Sequence, residues 1–279
     1  MKFVTYTLDG GAQPRFGFKK DEYIIDVIRA AIWANEKNGD SSFLEIPSTL
    51  KKALKNRDTN FAKLKKLDTA LREINIQYHT DGDKPIAVLE EDVQLLAPVP
   101  NPQSFRDFYA FEQHVRAARK LRGVDMHPDW FKIAIFYFSN PAALYGHGED
   151  IPYPRGTNEL DYELEFAIII AKGGSDINQD EADKYIAGYT ICNDWSARDL
   201  QREEMAMSLG PAKGKDFASF DEEKYDISRS YKKIHFVKKK GFLGFENKQI
   251  DISRDEDVFL LTVMQAFKLS IPFVERNEY

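Results

Sequence analysis

Three segments within residues 161–217 decide the reading of this chain: DYELEFAIII from Asp161, GYTICNDWSARDLQREEM from Gly188, and LGPAKGKDF from Leu209. Side chains two apart in a strand share a face. Glu163 and Glu165 therefore project together at the head of an apolar, β-branched run. Asp194 follows a second apolar run, and Arg198, Gln201 and Lys215 come after it. Taken alone, the E-x-E pair reads as an exposed strand edge, but the FAIII that follows requires at least one buried side. Carboxylates at the ends of buried strands are costly unless something compensates them, and a hard divalent cation is the simplest compensator. An oxygen-rich set of this kind favours Mg²⁺, Ca²⁺ or Mn²⁺ over zinc or copper.

The rest of the composition narrows the field. A formal charge of −6 with no dominant basic stripe argues against a nucleic-acid partner. The single cysteine, Cys192, excludes an internal disulfide framework and a cysteine zinc cluster. It lies in an apolar run and reads as core. No apolar run reaches membrane-spanning length and no charged-then-apolar leader precedes KFVTYTL, so the expectation is a cytoplasmic protein with no membrane partner.

In chain order, residues 1–27 read as short strands with a turn at Asp9-Gly10-Gly11, and residues 28–71 as helical, with Ser48-Thr49 placed to cap one helix. Residues 86–98 read as a strand pair. Pro98, Pro100 and Pro102 then mark a boundary. This divides the chain into a small N-terminal domain (1–97) and a second domain (98–279) that carries the chemistry. A helix is expected from about Tyr109 to Gly123. If it begins early enough, Asp107 and His114, seven residues apart, share one face. Asp194, Arg198 and Gln201 have the spacing of one helical face. Lys215 and Arg198 suit an anionic substrate, and His114 is the best general-base candidate because its unperturbed pKa lies near neutrality.

The runs RDFYAFEQH, LDYELEFA, GYTICNDWSARDLQ and LGPAKGKDF, in this order, resemble the fumarylacetoacetate hydrolase family over residues 98–219. The resemblance implies an α+β chain: a small N-terminal α/β module followed by a mixed β-sheet roll catalytic domain, homodimeric, holding Mg²⁺ or Ca²⁺. It implies a small-molecule oxo-acid substrate of the acylpyruvate or β-diketo type, as in aromatic amino-acid catabolism, cleaved by hydrolysis beside a carbonyl. Carried over by motif, Asp107, Glu163, Glu165 and Asp194 would be metal ligands. His114 would activate the attacking water; Arg198, Gln201 and Lys215 would hold and polarise the substrate; Tyr109 would line its pocket. Decarboxylation, isomerisation or hydration of a related oxo acid, or a catalytically inactive relative, are the alternatives.

After Phe217 the resemblance stops. Residues 219–279 lack the family's later Gly-Pro, Asn-Gly and Gly-Asp turns, its Gly-Thr loop and the acidic partner of its catalytic histidine. An altered reading frame or truncation is expected there, so that the domain is incomplete at its C-terminal side. The alternative is a divergent terminus that still fills the roll. The one apolar run with the pattern of an element is FLLTVMQAFKL.

Overall fold

The computed structural model of the chain describes residues 1–8, 11, 13–216 and 259–264, the last six by their strand placement only. Of the turn expected at Asp9-Gly10-Gly11, Gly11 is among the described residues, and its N–H donates to Leu8 O at 2.6 Å. Expectations for residues 219–258 and 265–279 lie outside them.

The first strands, β1 (Lys2–Leu8), β2 (Arg15–Lys20) and β3 (Tyr23–Asp26), form an antiparallel meander, as their alternation predicts. The helical stretch resolves into α1 (Val27–Asn38), α2 (Leu50–Lys55) and α3 (Arg57–Ala70). Caps set their ends: Asp26 accepts from Arg29 N, Thr49 accepts from Lys52 N, and Gly39 closes α1 at φ 64°. A hairpin of β4 (Thr80–Asp81) and β5 (Lys84–Pro85) leads to β6 (Ala87–Leu89) and β7 (Val93–Leu96). These last two do not pair with each other as residues 86–98 suggested. The sheet order β6-β3-β2-β1-β7 puts them at opposite edges, because β6 finds β3 and β7 finds β1. Adjacency in sequence carries no information about which free edge a short strand will complete.

The second sheet is mixed, with order β12-β11-β14-β8-β9. Its members are β8 (Ser104–Phe108), β9 (Phe136–Ser139), β11 (Leu164–Ile170), β12 (Ile186–Asn193) and β14 (Phe259–Met264). A two-residue pairing of β10 (Leu160–Asp161) with β13 (Ser196–Ala197) lies between them in sequence. Two helices complete the region, α4 (Glu112–Leu121) and α5 (Arg198–Ala206). FLLTVM, from the expected run FLLTVMQAFKL, is β14. It lies between β11, to which it is antiparallel, and β8, to which it is parallel. A central strand is thus drawn from far along the chain.

Two helix expectations are corrected. The helix after Asp107 begins at Glu112, and RDFY is strand or loop, so Asp107 and His114 do not share a helical face. The reason is strand pairing: Phe105 and Phe108 are buried and the strand pairs on both sides, with Asp107 opposite Thr262 and Tyr137. Likewise α5 begins at Arg198, leaving Asp194 outside it. Asp194 N donates to Glu163 O at 2.8 Å, which extends the β11–β12 pairing and stops a helix from starting earlier.

The two sheets share no strand, yet one apolar cluster joins them. Phe3, Phe16 and Phe18 of the first pack in the same cluster as Phe105, Ala167 and Ile169 of the second. Each fully buried Phe or Ile contributes roughly 1.5–3 kcal/mol. Arg57 of α3 donates to Ile186 O at 2.6 Å across the same junction. The back of β11 is thereby held against the N-terminal sheet. No described helix is long and apolar enough to cross a membrane.

Candidate active site

At the head of β11 the alternation expected for E-x-E is realised: Leu164 is exposed, while Glu163 and Glu165 are 4% and 0% exposed. Asp107 of β8 is buried as well, at 2%. One carboxylate oxygen from each of Asp107, Glu163 and Glu165 lies within 4.8 Å of the others. Oxygens that share a cation at about 2.0–2.6 Å must lie within roughly 5 Å of one another, so the spacing fits. Among the described residues, neither oxygen of Asp107 and neither oxygen of Glu165 receives a hydrogen bond. Four buried, unsatisfied carboxylate oxygens are an expensive arrangement unless something positive completes it. The donor set matches the hard divalent cation expected from the sequence.

Burial and mutual repulsion raise two of these groups, Glu165 and Asp107. Burial, then the neighbouring charges of Asp107, Glu163 and Asp194, push Glu165 up to about 10. Asp107 is raised well above the usual carboxylate range, by burial first and by Asp194 next. Glu163 goes the other way. Burial acts to raise it, but Lys215 and Arg198 outweigh that and hold it below its ordinary value.

The cations that do so grip opposite oxygens. Lys215 Nζ lies 2.7 Å from Glu163 Oε2, and Arg198 Nη1 lies 2.6 Å from Glu163 Oε1. Lys215 also contacts Asp194 Oδ2 at 2.8 Å, and the Tyr137 hydroxyl donates to that same oxygen. Asp194 thus lies beside the three-carboxylate group, with one oxygen already held by two donors. Arg198 is itself fixed, by Asp161 Oδ2 at 2.9 Å and by Gln201 Oε1 at 2.9 Å. Lys215 is 7% exposed, and although burial alone would lower its pKa, Asp194 and Glu163 raise it, so it stays charged.

Tyr109 and His114 stand on the segment after β8. Their rings meet edge-on at 5.7 Å, and Trp130 Nε1 donates to Tyr109 O at 2.8 Å. The Tyr109 phenol is raised chiefly by burial, with Arg122 and Arg119 acting against it and the charge of Glu163 adding to it. Of the residues singled out from sequence, Asp107, Glu163, Glu165, Asp194, Arg198, Gln201 and Lys215 are thus joined by contacts or close spacing, and Tyr109 pairs with His114 on the segment after β8.

Sequence reasoning missed Asp161, Tyr137 and Glu204. Tyr137 was hidden in an aromatic strand, FYFS; its neighbours Phe136 and Phe138 are exposed, so the period of two turns Tyr137 inward beside Asp107. Nothing in REEM separates Glu204 from an exposed helix glutamate.

A buried carboxylate cluster whose donor set suits a hard divalent cation thus stands on a mixed sheet, flanked by a buried lysine and a clamped arginine. Residues 103–221 match the family described as fumarylacetoacetate (FAA) hydrolase C-terminal, which bears out the resemblance carried by the four sequence motifs. It is 31% identical over 156 residues to the fumarylacetoacetase of Oryza sativa subsp. japonica, covering 49% of this chain and 36% of that one. It is 32% identical over 128 residues to the oxaloacetate tautomerase of Bacillus subtilis (strain 168), covering 43% and 38%. The chain spans about a third of the length of these relatives. Among solved structures, maleylpyruvate hydrolase from Sphingobium sp. SYK-6, in complex with manganese(II) ion and pyruvate, aligns with a TM-score of 0.46 at 18% identity, covering 71% of this chain and 60% of that one.

Proposed function

We propose that the chain is a divalent-cation-dependent hydrolase that cleaves a carbon–carbon bond beside a carbonyl of an acylpyruvate or β-diketo acid. The observation that carries this reading is the pairing of four carboxylate oxygens that lack a donor among the described residues, on Asp107 and Glu165, with two fixed cations on Glu163. Asp107, Glu163 and Glu165 would hold Mg²⁺ or Mn²⁺, with Asp194 at its side. The bound ion would polarise the oxo-acid oxygens. Lys215 supplies a fixed positive charge where negative charge develops on the substrate oxygen, and it needs no reorganisation to do so. Arg198, held by Asp161 and Gln201, presents a guanidinium suited to a carboxylate. His114 takes the proton from the attacking water, and Tyr109 orients its ring and lines the pocket.

A second reading keeps the site and drops the water: enolisation of an oxo acid, the reaction named for the Bacillus subtilis relative. It is favoured by Lys215 and Arg198 on Glu163, fixed positive charges that would stabilise the oxygen of an enolate whether or not a water attacks. The experiment is turnover of an acylpyruvate and of oxaloacetate with and without Mg²⁺, comparing the protein with its Glu165→Ala and His114→Ala variants. Hydrolysis predicts cleavage lost in both variants. Enolisation predicts loss only in Glu165→Ala. Absence of metal-dependent turnover on either substrate would overturn both readings.

A further inference from the structure

Glu204 is a glutamate of α5 that the site description has not used, and only 9% of it is exposed. Its carboxylate binds three consecutive backbone amides of the loop that precedes Lys215. Ala212 N donates to Oε1 at 2.7 Å, Lys213 N to Oε2 at 2.7 Å, and Gly214 N to Oε1 at 3.2 Å. Successive amides converging on one carboxylate form a concave nest, and each bond is charge-assisted.

The loop is pressed onto α5 where it contains glycine. A Cβ on Gly210 would lie 2.8 Å from the Glu204 side chain, and one on Gly214 would lie 2.8 Å from Gln201 N and Cα. Gly214 is held from both sides, because its carbonyl also accepts from Ala197 N at 2.7 Å. Lys215 is the next residue, and Lys215 N closes a turn on Ala212 O at 3.0 Å. Steps of three along α5 thus carry Arg198, which grips one oxygen of Glu163, then Gln201, which orients Arg198, then Glu204, which holds the loop bearing the lysine on the other oxygen.

We infer that Glu204 is a positioning residue that, through residues 210–214, sets Lys215 Nζ on Glu163 and Asp194. Its consequence for turnover rests on the function proposed above; its consequence for Lys215 does not. The test is residue-resolved acylation of lysines, read by mass spectrometry on the folded protein and on Glu204→Gln and Glu204→Ala. Glu204→Gln keeps the shape but turns an N–H donor toward the amides. Lys215 should label at least about tenfold faster in both variants, the scale of losing one hydrogen bond to a charged group. Lys19, whose side chain is 15% exposed in the N-terminal sheet, is the reference and should keep its rate. Formate added to Glu204→Ala should return Lys215 toward the parental rate.

An unchanged Lys215 rate in a folded variant overturns the inference. So does a parallel rise at Lys19, and so does loss of cooperative unfolding in both variants, since either means that Glu204 supports the fold at large. The labelling needs no turnover. A protein that turns over neither substrate but labels as expected would sink the proposed reaction and leave the role of Glu204 standing.

Discussion

Glu165 has the most consequential surroundings of any single residue here. It is fully buried, both of its oxygens lack a donor among the described residues, and its pKa is pushed up to about 10 by burial and by Asp107, Glu163 and Asp194. At neutral pH without a cation it therefore carries a proton. Glutamine should imitate that form closely, since its amide can donate to the donor-less Asp107 oxygens. Glu165→Gln is expected to keep the cation-free stability within about 1 kcal/mol of the parent, the size of one ordinary hydrogen bond. It should abolish the gain that Mg²⁺ or Mn²⁺ confers on the parent, about 2.7 kcal/mol at a hundredfold excess over Kd. Urea unfolding with chelator and with metal measures both quantities. A variant that still responds to metal would remove Glu165 from the ligand set.

At the scale of elements, Asp26 shows how one side chain ties a helix to a sheet. It is the last residue of β3 and the N-cap of α1. It accepts from Arg29 N at 3.0 Å, from the Tyr6 hydroxyl at 2.7 Å and from Arg15 Nε at 2.5 Å. Loss of a cap costs about 1 kcal/mol, and leaving the buried Tyr6 hydroxyl without a partner costs about 1–3 kcal/mol more. Asp26→Ala should therefore destabilise the protein by about 2–4 kcal/mol in denaturant unfolding. Because α1 and its sheet lie behind β11 through the shared apolar cluster, the metal response should weaken only as far as the fold itself does. The same scale explains why the Thr49 cap, the first three strands and α1 to α3 were legible in sequence, whereas the β6 and β7 partners were not. Caps and alternation are local; edge selection is not.

For the whole molecule, the buried carboxylates couple stability to pH. In the cation-free protein, Glu165 at about 10 and the raised Asp107 stay protonated where the unfolded chain, with ordinary values near 4.5 and 3.8, has already lost those protons. The folded state then binds more protons than the unfolded one, so stability falls as pH rises between about 4.5 and 10. Glu163 is depressed; its contribution is present above its unfolded value and is lost only as pH falls through its lowered one, below that window. Divalent cations compete with the same protons, so their affinity should climb with pH. Thermal unfolding at pH 5.5 and 8.5, chelated and with Mg²⁺, should show the chelated protein losing stability at the higher pH and the metal-dependent increment growing there. A chelated protein that gains stability between these values would contradict the raised carboxylates.

What the sequence determined by itself is what depends on short range. The two-residue period places Glu163 and Glu165 on one buried face, and apolar runs ending in Asp, Arg and Lys announce a charged centre. The ordered motifs reach the family, which the match over residues 103–221 bears out. Only the tertiary structure decided which acids converge, because that depends on strand order. Asp107 reaches Glu165 across β14, a strand from residues 259–264, while Asp107 and Glu165 stand far apart in the chain. It also decided how charge is distributed. Lys215 and Arg198 take opposite oxygens of Glu163, leaving Glu165 and Asp107 without donors among the described residues. Spacing can bring carboxylates to one face; whether each meets a cation, a phenol or nothing is settled by the elements packed around it.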